Sequence, residues 1–117
     1  MNSEPRYFPV DEYSALTMVL EAAYAQASRG KGMERHANGK PFDKQPMIEI
    51  GRMLSSTCDG QIYQVIKKAQ EASGMIARGE FDAAQRELLG AINYAAGAVV
   101  LIRDREIARL QKAGGDQ

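Results

Sequence analysis

The residues best able to bind a ligand lie in one polar, glycine-rich segment in the first half of the chain. Between positions 29 and 44, five lysine or arginine residues stand against two acidic residues, so the segment carries a net charge of +3. Glycine lets the backbone approach an anion closely, and guanidinium groups bind its oxygen atoms in pairs. The residues that we expect to contact a phosphate group or a nucleotide are Arg29, Lys31, Arg35, His36 and Lys40. A basic loop that is only solvated, or that faces a protein partner, fits the same pattern.

A second candidate surface lies near the C-terminus. Arg86, Gly90, Asn93 and Gly97 follow one another at steps of four, three and four residues, so a helix places them in one row. Each glycine inside a helix costs about 1 kcal/mol relative to alanine, and close approach of another group is the usual compensation. That group is either a neighbouring helix or a ligand or second subunit, in which case Arg86 and Asn93 supply the polar contacts.

Catalytic and metal-binding chemistry has little support in the sequence. His36 is the only histidine and Cys58 the only cysteine, too few for a structural zinc site built on these residue types. No reactive-cysteine motif surrounds Cys58, and no disulfide can form within the chain. We predict no catalytic residue, no metal and no cofactor.

Carboxylates were considered as magnesium ligands, because all-helical nucleotide pyrophosphohydrolases of the MazG type use them in clusters. Glu80, Asp82 and Glu87 lie close together in the sequence, but the Glu-Glu-x-x-Glu run of that family is absent. Acidic residues at a helix start are already explained by the helix dipole. A divergent hydrolase that uses these three residues stays an alternative.

The composition indicates one soluble domain. The chain has 117 residues, 44% of them hydrophobic and 26% charged, and its formal net charge is zero. Zero net charge excludes bulk coating of nucleic acid and favours self-association, so we predict a homo-oligomer. The longest apolar stretch, residues 91–102, falls short of the ~20 residues that a membrane span requires. A single cysteine is typical of a reducing compartment, and we predict a cytoplasmic protein.

Glycine and proline residues divide the chain into four segments with helical periodicity, which predicts an all-α fold, a small bundle of about four helices. The helices are expected at residues 11–28, from Asp43 to about 54, at 60–78 and at 83–112, with Asp43 and Asp82 as N-caps and Gly79 as a left-handed C′ residue. One long basic, glycine-rich connection (29–42) joins the first two. Residues 1–10 form an extension and residues 113–117 a disordered tail of this single domain, 1–117.

Large apolar residues at three- and four-residue steps predict the buried side of each long helix. These are Tyr13, Leu16, Leu20, Tyr24 and Ala27 in the first helix, Ile62, Val65, Ile66, Ala69, Ser73 and Ile76 in the third, and Leu88, Ile92, Ala95, Val99 and Ile102 in the last. Lys67, Lys68 and Glu71 are expected to face water.

Three short blocks carry a resemblance to known sequences: Glu34-Arg35-His36 followed by Pro41-Phe42 and Gln45-Pro46, then Gln61 or Gln64 with Lys67-Lys68, then the run Glu-Leu-Leu-Gly-Ala-Ile-Asn-Tyr at 87–94. This order resembles small uncharacterised helical proteins encoded by bacteriophages, over roughly residues 30 to 103. The resemblance implies a phage context and brings no established activity.

We therefore expect a non-enzymatic binding protein, an anti-defence or host-takeover factor that binds a nucleotide or phosphate ligand through its basic loop. An inhibitor that docks the same loop on an acidic surface of a host protein is the first alternative, and the MazG-like hydrolase is the second.

Overall fold

The computed structural model of the chain describes residues 12–29 and 40–115. Within these ranges the structure is all-α, with four α-helices and no strand: α1 (Ser14–Ser28), α2 (Pro46–Met53), α3 (Asp59–Ala77) and α4 (Phe81–Gly115). A short 3₁₀ helix at Phe42–Lys44 precedes α2. The predicted small helical bundle is confirmed. No helix in the described ranges has the length and apolarity that crossing a membrane would demand.

The beginnings of two helices differ from the prediction. Asp43 lies inside the 3₁₀ helix, and α2 begins at Pro46 with Gln45 as its N-cap. Proline is favoured at this first position, because its missing N–H group would have no partner within the helix. Likewise Asp82 lies inside the first turn of α4, and the N–H group of Ala84 donates to the carbonyl oxygen of Glu80. At its other end α4 runs to Gly115, so residues 113–115, which were predicted to be a disordered tail, are helical.

Helices α3 and α4 form an antiparallel hairpin that makes up the centre of the fold. Gly79 has a φ of 75°, as predicted for a left-handed residue after a helix, and the tight turn allows α4 to return along α3. A Cβ atom at Gly90 would lie 3.2 Å from the Lys68 side chain, and one at Gly97 would lie 3.6 Å from Gln61. The glycines of α4 therefore let α3 side chains approach its backbone closely.

The buried sides of the helices are not those predicted. The apolar residues that the structure buries are small, with two exceptions, and are Ala23, Ile48, Ala72, Ala84, Ala91, Ala98 and Leu101. Most of the large residues predicted to be buried are exposed, including Tyr24 of α1. Lys68, which was expected to face water, is half-buried. The reason is geometric: helices that pack through alanine and glycine leave their large side chains outside the contact.

Helix α2 covers one side of the α3–α4 hairpin. Among the described residues, the only two large side chains that are fully buried are Ile48 of α2 and Leu101 of α4. Gln61 donates to the carbonyl oxygen of Met47 at 2.6 Å. Arg52 joins α2 to α4, because its Nε donates to Asp104 Oδ2 at 2.8 Å. The hydrogen bonds to Asp104 and Glu49 raise the pKa of Arg52 above its ordinary value.

Candidate functional site

A cleft between α1 and α4 is the best-formed candidate for a ligand site. Its outer cavity of about 560 Å³ lies within the size range of small-molecule pockets, and its walls are mostly apolar. The apolar side chains that line it are Leu20, Ala23, Tyr24, Ala27, Phe42, Ile92 and Ala96. An inner cavity of about 110 Å³ adjoins it and shares Ala27, Phe42, Gln45 and Asn93 as lining residues. We call the two cavities together the α1–α4 cleft.

Two hydrogen bonds set the width of this cleft by tying α1 to α4. Asn93 Nδ2 donates to the carbonyl oxygen of Ala23 at 3.0 Å, and Gln26 Nε2 donates to that of Arg86 at 3.3 Å. Residue numbers rise along α1 as they fall along α4, so the two helices run antiparallel. Asn93 is half-buried and has one of its two amide hydrogens engaged, which leaves its side-chain carbonyl oxygen and its second N–H as groups that it can offer to a ligand.

The outer cavity opens beside the two described ends of the basic segment. Ser28, one residue before Arg29, lines it from α1, and Lys40, Pro41 and Phe42 line it from the other end. Gln45 Nε2 donates to the carbonyl oxygen of Lys40 at 3.3 Å and holds this end in place. The sequence between these two ends is the most basic and glycine-rich part of the chain.

Lys68 forms the inner end of the cleft. Its Nζ lies 3.4 Å from Glu87 Oε1 and 5.8 Å from the centre of the Tyr94 ring, within reach of a cation–π interaction. The second oxygen of this carboxylate, Glu87 Oε2, is buried and has no hydrogen-bond partner among the residues that the structure describes. The positive charge of Lys68 is therefore already paired with Glu87 within the protein. We do not expect Lys68 to bind an anionic ligand.

The structure places the predicted site residues in three groups. Lys31, Arg35 and His36 lie outside the described residues. Arg29 and Lys40 are exposed at the two ends of that segment, and neither takes part in an ion pair with another described residue. Lys40 belongs to the predicted basic segment and Asn93 to the predicted row on α4. Both line the outer cavity, so this cavity brings together one described residue from each of the two candidate surfaces.

Arg86 and the two glycines fall outside the cavity that Lys40 and Asn93 share. The Arg86 side chain is exposed and does not line the cleft. Gly90 and Gly97 are buried; a Cβ atom at Gly97 would lie 3.1 Å from Ile48 Cδ1 of α2, so a neighbouring helix occupies that part of the row. Gly90 also lines the inner cavity, beneath the stem of Lys68.

The acidic residues weighed as magnesium ligands are engaged in ion pairs or exposed. Glu80 pairs with Arg78 at 3.1 Å and Glu87 pairs with Lys68, while Asp82 is exposed in the first turn of α4. Over residues 12–29 and 40–115, no group of three or more histidine, cysteine, aspartate and glutamate side chains is arranged to hold a metal ion.

Most residues that line the cleft were not predicted from the sequence as ligand contacts, among them Tyr24, Phe42, Gln45 and Lys68. Phe42 and Gln45 belong to the Pro-Phe and Gln-Pro blocks of the resemblance, and that signal could have indicated them. Nothing in the sequence marks Lys68 as different from Lys67 beside it.

The chain was compared with protein families, with curated proteins and with solved structures. No family model, no curated protein and no solved structure matches it.

Proposed function

We propose that this chain is a non-enzymatic binding protein whose ligand carries an apolar or aromatic body and an anionic group, as a nucleotide does. The observation that carries the proposal is the position of the α1–α4 cleft, an apolar cavity of ligand size that opens between the two ends of the basic segment. One ligand could fill the cleft with its body and present its phosphate oxygens to the basic residues.

The apolar part of the proposed ligand lies between Tyr24, Phe42 and Ile92, which line the outer cavity. Flat aromatic groups such as nucleobases stack on rings of this kind, and each stacked base contributes about 1–3 kcal/mol. The side-chain carbonyl oxygen of Asn93 would accept a hydrogen bond from an exocyclic amine of the ligand, or its second N–H would donate to a ring nitrogen or carbonyl oxygen.

The phosphate part of the proposed ligand is bound by Arg29, Lys31, Arg35, His36 and Lys40. Their share of the proposal rests on the sequence, because a net charge of +3 and several glycines are concentrated in this segment. Charge-assisted hydrogen bonds from guanidinium groups to phosphate are about twice as strong as neutral ones. Arg86 is kept as a more distant contributor, since it is exposed on α4.

The biological setting of the proposal comes from the resemblance to phage-encoded proteins. We propose an anti-defence or host-takeover factor that acts in the host cytoplasm by capturing a nucleotide. Capture requires no turnover, so a site without catalytic residues would be sufficient for it.

Isothermal titration calorimetry of the full chain with ATP, adenosine and inorganic pyrophosphate separates the two parts of the site. We expect ATP to bind more tightly than either fragment, because only ATP fills the cleft and also reaches the basic residues. The double variant R35E/K40E should lose ATP affinity by about tenfold or more, the loss of about one charged hydrogen bond. The matched control K112E reverses an exposed charge in the last turns of α4 and should bind as the wild type does.

The same titrations distinguish the alternatives. If none of the three probes binds and R35E/K40E instead abolishes capture of an acidic protein, the inhibitor function replaces the nucleotide function. Release of phosphate or pyrophosphate from ATP that depends on Mg²⁺ and disappears in E87Q would establish the hydrolase.

A further inference from the structure

We infer that the side of the α3–α4 hairpin turned away from α2 is the interface of a homodimer. It carries two rows of exposed residues, which we call the hairpin face. From α3 these are Ile62, Ile66, Ala69, Ser73 and Ile76, and from α4 Phe81, Leu88, Ala95, Val99 and Ile102. This inference does not depend on the cleft or on the basic segment.

The two rows lie on the same side of the hairpin. Helical residues advance about 100° each, so Leu88, Ala95 and Val99 lie opposite Gly90 and Gly97 on α4. Gly97 faces α2, since a Cβ atom there would lie 3.1 Å from Ile48. On α3 the isoleucines lie opposite Lys67 and Glu71, which line a polar groove together with Glu87 of α4. The α4 row therefore points away from α2, and the α3 row points away from the polar groove.

The hairpin face has the size of a specific protein interface. Its seven large residues are each between 43% and 63% exposed. They leave on the order of 700 Å² of side-chain surface in contact with water, close to the ~800 Å² per partner of a standard interface and above the ~300–600 Å² of the largest patch on a typical monomer. A partner that covers this face would bury about as much surface as a stable dimer requires.

The composition of the hairpin face favours a second copy of the chain as that partner. No charged residue lies on this side between positions 62 and 77 or between 81 and 102, so two copies meet without like charges. Ala69, Ser73 and Ala95 leave hollows between the large side chains, into which those of a symmetry-related copy can pack. An interface about a two-fold axis requires a surface that is complementary to itself in this way.

The rest of the chain has too few apolar residues to cover the hairpin face. In the segment 1–11 the large apolar residues beyond the initial methionine are Tyr7, Phe8 and Val10, confined to four consecutive positions. An extended stretch of four residues spans about 13 Å, against the ~20 Å that the face extends along α3 and the ~30 Å along α4. The only large apolar residue in the segment 30–39 is Met33.

Sedimentation equilibrium of the full chain tests the dimer. We expect a monomer–dimer equilibrium for the wild type, and I66E and V99E should each raise the dissociation constant at least tenfold. The control M18E introduces the same charge at a residue of α1 that is 69% exposed, against 63% for Ile66, and should leave the equilibrium unchanged. Far-ultraviolet circular dichroism verifies that the variants keep their helices.

Three results would overturn the inference. The first is a wild-type chain that stays monomeric up to about 100 µM, above the range of most specific homodimers. The second is a dimer that survives both I66E and V99E, since its interface would then lie elsewhere. The third is a dimer that M18E weakens as much as I66E does.

Discussion

Along α4, one side packs within the chain through small residues while another presents large apolar residues to water. Ala84, Ala91 and Ala98 are buried, whereas Leu88 and Val99 are more than two-fifths exposed. In most single domains the large apolar side chains fill the core, whereas small residues lie both in the core and at the surface. The reversal teaches that close helix contacts and exposed large apolar side chains can lie on different sides of one helix.

On the small-residue side, polar side chains also find partners within the chain, with the exception of Glu87 Oε2. Gln61 and Lys68 reach α2 and α4 because glycine and alanine leave room for their stems. The hairpin face has no such network. Four pairs of substitutions, each comparing a residue at a close contact with a residue at a looser contact or at none, measure how much the packed contacts contribute.

The largest effect is expected at the two adjacent residues Leu101 and Ile102. Leu101 is 0% exposed, so Leu101→Ala should cost about 2–5 kcal/mol of unfolding free energy, through lost burial and a cavity. Ile102 is 53% exposed, and Ile102→Ala should cost less than about 1 kcal/mol in dilute protein. Urea unfolding monitored by circular dichroism gives both values. Equal losses would show that the two sides of α4 are packed alike.

A second pair compares two helical glycines. A Cβ atom at Gly51 would lie 2.6 Å from Leu101 Cδ1 and 3.2 Å from the carbonyl oxygen of Thr57, so Gly51→Ala should destabilise the protein by about 1–3 kcal/mol. A Cβ atom at Gly60 would have no neighbouring side chain within 4 Å among the described residues. Gly60→Ala should therefore stabilise the protein by about 0.5–1 kcal/mol. Opposite signs of the change in melting temperature are expected, and a gain at both positions contradicts the close contact of α2 with α4.

A third pair compares two adjacent lysines of α3. Lys68→Met keeps the stem over Gly90 but leaves the partly buried Glu87 carboxylate without its partner, at a cost of about 1–2 kcal/mol. Lys67 is exposed, and Lys67→Met should change stability by less than about 0.5 kcal/mol. Adding Glu87→Leu to Lys68→Met should restore part of the loss. If it does not, the ion pair is not the reason for the loss.

The smallest effect is expected where α1 meets α4. Asn93→Ala removes a hydrogen bond from a half-buried amide and should cost about 1 kcal/mol. Gln26→Ala removes a longer bond, 3.3 Å, and should cost less than about 0.5 kcal/mol. Asn93 lines both cavities of the cleft, whereas Gln26 lines only the inner one, so Asn93→Ala is expected to weaken ATP binding in calorimetry more than Gln26→Ala does. An equal loss of binding in both variants would assign the effect to the position of α1.

The sequence was sufficient to predict the helices but not their orientation. Periodicity placed the long helices, and Gly79 marked the turn between α3 and α4. Periodicity also assigned the large side chains to the interior of one chain, which is wrong for Ile66 and Val99. A hydrophobic stripe indicates only that some surface covers it, and the sequence does not distinguish a neighbouring helix from a second subunit.

The candidate site was predictable only in part. Lys40 and Asn93 follow from charge and spacing, and both line the cleft. Lys68 and Gln45 could not be found in that way, because the cleft joins α1, the 3₁₀ helix, α3 and α4, whose residues are far apart in the sequence. Their proximity is a property of the packing and not of any local motif.

The separation of these contacts along the chain also has a consequence for the order of folding. The α3–α4 hairpin closes through a short turn, whereas the bonds from Gln26 to Arg86 and from Asn93 to Ala23 span 60 and 70 residues. Distant contacts pay a larger loop-closure entropy, so we expect the hairpin to form early and α1 to dock last. We expect the same helix to detach first in the native state. Amide hydrogens of α1 should therefore exchange with solvent faster than those in the middle of α4, and the wall of the cleft can open without unfolding the hairpin.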